Sequence, residues 1–348
     1  MNTAYLKVRA EDASPEHPVI REAAAILKHG GLVAIPTETV YGLAANALDS
    51  AAIARIFAAK ERPTWDPLIV HVSNSEMILH VAADFPERAK RLAENFWPGP
   101  LTLLLPRHSR LPLAVTAGRE IVAVRMPAHP VAQAIITSAD LPLAAPSANR
   151  FGHTSPTTPE HVLGDLQGRI DAVVDSGPTQ IGVESTVLDP LRTPPLLLRP
   201  GGITREQLED VLGAIEVYSA PANEAPQALA SPGLAARHYA PQARLILVEG
   251  TRHQFRTAIE QEVTKFGDHG DYVGALVPEN WLDEQWLSRG GLVIFDWGPW
   301  EDREQLAHNL FAGLRYLDKP GVSVIVCPLP PGEGLGLALR DRLVRAAQ

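Results

Sequence analysis

Six stretches of the chain put hydroxyls, carboxylates or cations where an apolar run begins or ends. "AIPTETVYGL", residues 34–43, sets Thr37, Glu38, Thr39 and Tyr41 between apolar flanks. Such a segment has two readings: a tight turn capped by its own side chains, or a pocket wall whose hydroxyls face a polar ligand. "KERPTWDPL" places Lys60 and Arg62 at the end of a helix that Pro63 stops. Cations there either offset the helix dipole, contributing about 0.3–1 kcal/mol, or clamp an anion without a glycine-rich loop. In "VAVRMP", Arg125 interrupts an apolar strand, and a buried guanidinium needs a carboxylate, the protein's own or a ligand's. "APSANRFGHTSPT" concentrates Ser147, Asn149, Ser155 and Thr157 after a strand, in the kind of loop where small-ligand contacts gather. "GVESTVLD" and "LLRPGG" add Ser185 and Thr186 at the start of one strand and Arg199 at the end of another.

These residues contain no obvious nucleophile–base pair. Hydroxyls and cations at strand ends suit the binding and alignment of a nucleotide and a small acid better than covalent catalysis. Other chemistries lack their motifs: there is no Walker loop, HExxH, CxxC or GxSxG, and "GEGLGLA" near the C-terminus misses the GxGxxG spacing. The twelve histidines show no metal-ligand spacing, so no metal site is expected in the protein.

The elements that must hold these residues can be read from periodicity. "HPVIREAAAILKHGG" is a helix with Ile20, Ala23, Ala24 and Leu27 as its apolar stripe. "GLVAIP", "PLIVHV", "LTLLLP", "IVAVRMP", "DAVVDSG", "ESTVLD" and "PLLLRPG" read as strands, and "LPLAAPSAN" as a strand running into a loop. "AAIARIFAAK" (capped by Ser50), "PERAKRLAENFW", "HPVAQAIITSA" and "TPEHVLGDL" read as helices. The two kinds interleave without strict alternation, so an α/β chain with an α+β N-terminal domain and a mixed sheet is expected over residues 1–214. Residues 215–242 are rich in Ala, Pro and Ser and read as an interdomain linker. From 243 to 348, strands and helices alternate and "VSVIVC" is apolar on both faces, which predicts a smaller Rossmann-like parallel α/β domain.

The 348 residues suit two domains, and 45% hydrophobic with 20% charged residues is ordinary globular composition. A net charge of −9 argues against general coating of nucleic acid, though not against a local basic patch. Cys327 is the single cysteine, which excludes an internal disulfide. The polar start and the lack of an apolar run of about 20 residues lead to an expectation of a cytoplasmic protein with no membrane segment.

"PTETVYGL", "KERP…PLIVHV", "WPGPLTLLL", "VRMP", "PSAN.FG..SPT", "ESTV.D" and "RPGG", in this order, resemble the threonylcarbamoyl-AMP synthase family. "SPGLAARHYAP" and the C-terminal α/β region resemble its long two-domain form, whose N-terminal part is the YrdC-like domain. The match is dense over residues 19–205 and looser after 242. The resemblance implies a twisted, mostly antiparallel open sheet with a positively charged cavity. It implies that L-threonine, bicarbonate or CO2, and ATP with Mg²⁺ become L-threonylcarbamoyl-adenylate and pyrophosphate, the product passing to a separate tRNA threonylcarbamoyl transferase.

Carried onto this sequence, the resemblance assigns Lys60, Arg62, Asp66, Ser147, Asn149, Ser155 and Arg199 to ATP, with Lys60 and Arg62 central to catalysis. Tyr239, in the "HYAP" segment, is implied as a lid over the nucleotide. Thr37, Thr39, Tyr41, His71, Arg125, Ala145 (through its backbone) and Ser185 are assigned to threonine. Two departures stand out. Asp66 replaces the family's usual Asn, and Leu234, Ala235 and Ala236 follow "SPG" where a basic residue is usual, shifting weight to Arg237 and His238. Two competitors are a double-stranded RNA-binding module without turnover, since related single domains have a basic concave face, and a carbamoyl-adenylating maturation factor. The latter carries Cys-rich segments that are absent here.

Overall fold

The computed structural model describes residues 2–219, 238–266, 271–287 and 290–348. They fall into two compact units. The first holds the described residues of 2–151, 155–180 and 184–219, and the second holds 152–154, 181–183 and those from 238 on.

The first unit is built on one sheet: β1 (Ala4–Lys7), β2 (Val33–Ile35), β3 (Gly42–Asn46), β4 (Ile69–His71), β5 (Leu101–Pro106), β6 (Ile121–Arg125), β7 (Leu143–Ala144), β8 (Ala172–Asp175), β9 (Thr186–Asp189), β10 (Leu196–Arg199) and β11 (Glu216–Val217). Their order is β1-β8-β2-β3-β7-β4-β6-β5-β9-β10-β11. The neighbours in sequence β2–β3, β5–β6 and β9–β10 pair antiparallel, as do β3–β7 and β4–β7. Pairs β1–β8, β2–β8, β4–β6, β5–β9 and β10–β11 are parallel. The sheet is therefore mixed, as the interleaved elements suggest, but evenly so and not mostly antiparallel. Short connections between adjacent strands give antiparallel pairs, and the longer crossovers bring strands back parallel.

The helices are α1 (Pro18–Lys28), α2 (Ser50–Lys60), α3 (Ser75–Ile78), α4 (Glu87–Phe96), α5 (Pro130–Ala139), α6 (Pro159–Leu166) and α7 (Arg205–Leu212). In α1 the expected stripe Ile20, Ala23, Ala24 and Leu27 is the buried one. The cap of α2 differs from expectation: Asp49 Oδ1 accepts from the N–H groups of Ala51 (2.8 Å) and Ala52 (3.3 Å), and Ser50 is the first helical residue. A carboxylate satisfies two orphan donors and complements the helix dipole, so it outcompetes the hydroxyl. Glu61 ends α2 in the left-handed conformation (φ 54°), which turns the chain sharply between Lys60 and Arg62.

Strand alternation divides the sheet into two faces. Val70, Val124, Leu103, Leu188 and Leu197 join Ile20, Leu27, Ile53, Ile56, Leu92, Val131 and Ile135 of the helices in the main core. Ile69, Ala123, Leu104, Val187, Leu196 and Leu198 form a separate apolar cluster. His71, Arg125 and Thr102 lie two residues along from Ile69, Ala123 and Leu104, so the strand period carries them onto this second face.

The second unit has β12 (Arg244–Val248), β13 (Tyr272–Pro278), β14 (Leu292–Gly298) and β15 (Val322–Pro328) in the order β12-β15-β13-β14, every pair parallel. Between and after them come α8 (Arg252–Phe266), α9 (Glu284–Leu287), α10 (Arg303–Leu317) and α11 (Leu335–Ala346). This is the parallel α/β domain expected from the alternating pattern. The expected linker is partly ordered structure: Glu216–Val217 pairs beside β10. Residues 220–237, including Leu234, Ala235, Ala236 and Arg237, lie outside the described residues. Among the described residues no helix is long and apolar enough to cross a membrane.

Candidate active site

The stretch after β2 bends and does not continue as a strand, and its polar residues converge on Arg125 at the end of β6. Arg125 Nη2 lies 2.6 Å from Glu38 Oε1, Nη1 donates to Thr39 Oγ1 (2.9 Å), and Nε donates to Gly99 O (3.2 Å). Thr37 Oγ1 donates to Val40 O at 2.6 Å, so the 2.9 Å bond between the two threonines has Thr39 as donor. The result is a directed chain from guanidinium to Thr39 to Thr37 to Val40 O. Thr37 Oγ1 also accepts from the N–H groups of Thr39 and Val40. Its hydroxyl is thus saturated within the protein and supports Arg125 through Thr39, a correction to its expected place on the ligand surface. The carboxylate demanded by a guanidinium in an apolar strand is Glu38, a residue the sequence reading quoted without a role.

His71 of β4 and Thr102 of β5 are the direct register partners of Arg125 on either side. Thr102 pairs in turn with Val187 of β9, and Val187 with Arg199 of β10. The row His71–Arg125–Thr102–Val187–Arg199 therefore crosses five strands, with an irregularity in the β9–β10 register between Leu197 and Arg199. At one strand spacing per step, Arg125 and Arg199 stand roughly 14 Å apart along the backbone row. Thr102 Oγ1 and Ser185 Oγ share a 2.8 Å bond, and Arg199 donates to Ser185 Oγ (3.1 Å) and Ser185 O (2.9 Å). Gly201 lets the "RPGG" turn approach: a Cβ there would sit 2.3 Å from Thr186 N and 2.4 Å from Glu184 O. Thr102 and Glu184 are site residues the sequence reading missed. A lone hydroxyl in "LTLLLP" and a carboxylate opening "ESTV" were the available signals.

Lys60, at the last position of α2, is buried and donates from Nζ to Ser147 O and Asn149 O, both at 2.5 Å. Arg62 Nη2 donates to Pro67 O (2.7 Å) and meets Asp66 Oδ2 at 2.9 Å, with both side chains sealed from solvent. Asp66, expected beside the nucleotide, is the ion-pair partner of Arg62. Its carboxyl is pushed above the ordinary value by burial, against the opposing pull of Arg62, Lys60 and Arg199. Of the three, Arg62 is the one in ion-pair contact with the carboxyl. Burial, with Arg62 adding to it, holds the Lys60 amine well below its usual value. Burial, reinforced by Arg125, brings His71 down to about 3, so its imidazole is neutral at physiological pH.

The remaining expected residues divide. Ser147 and Asn149 contribute backbone carbonyls to Lys60, and Ser155 Oγ donates to Glu184 Oε1. Ala145 donates its N–H to Ile69 O (2.9 Å), leaving its carbonyl as the group for a backbone contact. Tyr41 is not on the site surface. Its ring belongs to the main core and its hydroxyl donates to Gly177 O at 2.7 Å, a correction that follows from the bent backbone at residues 37–40. Tyr239 belongs to the second unit, where its buried ring meets His238 (4.0 Å between centroids) and Phe311 (5.8 Å), with the Arg342 guanidinium 5.1 Å above it. What the first unit assembles is a buried bed of hydroxyls and cations with few free donors, suited to holding charged ligands in place.

Residues 25–201 match the family described as "Telomere recombination", and residues 203–348 match "Threonylcarbamoyl-AMP synthase, C-terminal domain". The chain is 45% identical over 328 residues to the threonylcarbamoyl-AMP synthase of Pyrococcus abyssi, spanning 94% of both proteins. To the Bacillus subtilis protein of the same name it is 43% identical over 342 residues, covering 97% of this chain and 95% of that one. The crystal structure of P. abyssi Sua5 complexed with L-threonine matches with a TM-score of 0.89 at 43% identity, across 100% of this chain and 98% of that one. From its N-terminal motifs to its parallel C-terminal sheet, the chain belongs to the threonylcarbamoyl-AMP synthase family.

Proposed function

We propose that the protein is a nucleotidyltransferase that condenses L-threonine, bicarbonate (or CO2) and ATP into L-threonylcarbamoyl-adenylate and pyrophosphate. The observation that carries this is the set of buried polar residues His71, Arg125, Thr102 and Arg199 along one register row, joined through Ser185, in the same unit as the buried cations Lys60 and Arg62. Threonine is assigned to the Arg125 end, where Thr39, His71, Ser185 and the Ala145 carbonyl supply polar contacts. ATP is assigned to the end bounded by Lys60, Arg62, Ser147, Asn149, Ser155 and Arg199.

The ammonium of threonine gives up a proton to solvent, the neutral amine adds to CO2 with loss of a second proton to form the carbamate, a carbamate oxygen attacks the α-phosphorus, and the bond to pyrophosphate breaks. The protein's part is alignment, neutralisation of phosphate charge and protection of the carbamate from water. Mg²⁺ is taken to arrive with the triphosphate. The product would pass to a separate transferase that modifies tRNA, and a reducing cytoplasm is the proposed setting.

The test is pyrophosphate release by the purified full chain. Release that requires threonine, bicarbonate and MgATP together supports the proposal, and no release with all three present refutes it. Salt-sensitive binding of double-stranded RNA by a chain that never turns over ATP would favour the RNA-binding alternative, which makes no use of the buried row.

A further inference from the structure

Glu38 is a carboxylate with an unfinished environment. Its side chain is 5% exposed, and Oε1 touches Arg125 Nη2 at 2.6 Å. That contact is close but not aligned as a hydrogen bond, and among the described residues Oε2 has no donor. Buried carboxylate oxygens ordinarily accept hydrogen bonds, and one left open costs stability unless something else supplies the donor. The nearby imidazoles do not supply a second cation. Burial holds His129 below its ordinary value and His71 at about 3, so both are neutral at physiological pH. Arg125 is the one cation in contact with Glu38 among the described residues.

We propose that Glu38 receives the α-ammonium of the amino-acid substrate, the Arg125–Glu38 pair opening so that each partner takes the opposite charge of the zwitterion. An α-amino acid carries its ammonium and carboxylate on one carbon, the arrangement needed to insert between two adjacent opposite charges. The exchange replaces one internal pair by two intermolecular ones and strands no charge. A 2-hydroxy acid would still offer a carboxylate to Arg125 but would leave Glu38 buried and unpaired, and a site built around a polar partner rejects the analogue that lacks it. Glu38 is thus a specificity-determining residue for the amine that must go on to form the carbamate. This inference rests on the reading of threonine as the acid bound at Arg125.

Calorimetry with the full chain separates the two. L-threonine is compared with the analogue whose amine is replaced by hydroxyl, (2S,3R)-2,3-dihydroxybutanoate, in the wild type and in Glu38→Gln. The expected result is a preference of the wild type for L-threonine. Glu38→Gln then weakens L-threonine by roughly 10- to 100-fold, the size of a lost charge-assisted bond, while the hydroxy acid binds no more weakly than before, because no buried carboxylate is left stranded. Equal loss of both ligands would mean that Glu38 only positions Arg125, and no loss of either would mean that it does neither; both overturn the proposal. If the variant does not fold, the wild type alone decides, because equal affinity for the two acids overturns it as well. A wild type that binds neither acid refutes the threonine reading itself.

Discussion

Arg62 and Asp66, four residues apart, form an ion pair of 2.9 Å in which neither side chain reaches solvent. The pair holds the turn after α2 and fixes one of the two cations assigned to the triphosphate. Breaking a buried pair from one side leaves an uncompensated charge. Asp66→Ala is therefore expected to destabilise the first unit by about 3–5 kcal/mol, measured by urea denaturation. A variant as stable as wild type would mean that Asp66 does not serve Arg62.

Lys60 gives its buried Nζ to the carbonyls of Ser147 and Asn149, at the end proposed for the nucleotide. Lys60→Ala should lower pyrophosphate release on the order of 100-fold, as loss of one preorganised charge stabiliser does. Circular dichroism confirms whether the fold survives. An unchanged rate in a folded variant would end the assignment of Lys60 to phosphate.

His71 predicts a pH dependence of stability. Its folded pKa is about 3, below the ordinary 6.5, so the unfolded chain takes up the proton first on acidification. The stability linked to it is present above pH 6.5 and is lost as pH falls towards 3. Between neutral pH and about pH 5 this amounts to on the order of 2 kcal/mol. His71→Gln should lose correspondingly less stability on that descent. Parallel curves for the two proteins would exclude the histidine as the cause.

Tyr41→Phe removes the bond to Gly177 O and nothing from the row around Arg125. The expected cost is about 0.5–1.5 kcal/mol of stability, with L-threonine affinity unchanged. A fall in affinity without a fall in stability would return Tyr41 to the ligand surface.

Cys327 lies within the parallel sheet of the second unit, fully buried, and burial pushes its thiol well above the ordinary value. A thiol reagent should therefore react with the folded protein only as fast as that unit opens. Rapid labelling under native conditions would contradict the burial.

Much of the fold was legible before any coordinates. The apolar stripe of α1 and the alternation of the C-terminal half stand where periodicity put them, because a helix or strand must bury its apolar face wherever it packs. The edge strands β1 and β11 were not legible, being four and two residues long with no fully buried position. The cap of α2 was misread because Asp49 and Ser50 are both good caps and only the backbone decides between them.

The site divides in the same way. The residue types and their order, dense enough to mark the family, were determined by the sequence, as was the need for a carboxylate beside Arg125. Which carboxylate it is, that Thr37 supports the guanidinium through Thr39, that Asp66 pairs with Arg62 and that Tyr41 faces the core were decided only by the tertiary structure. Pairing is a matter of distance in space, and Thr39 and Arg125 meet across 86 residues of chain. Strand register and a bend after β2 bring such groups to within hydrogen-bonding reach, and neither leaves a trace in local residue spacing.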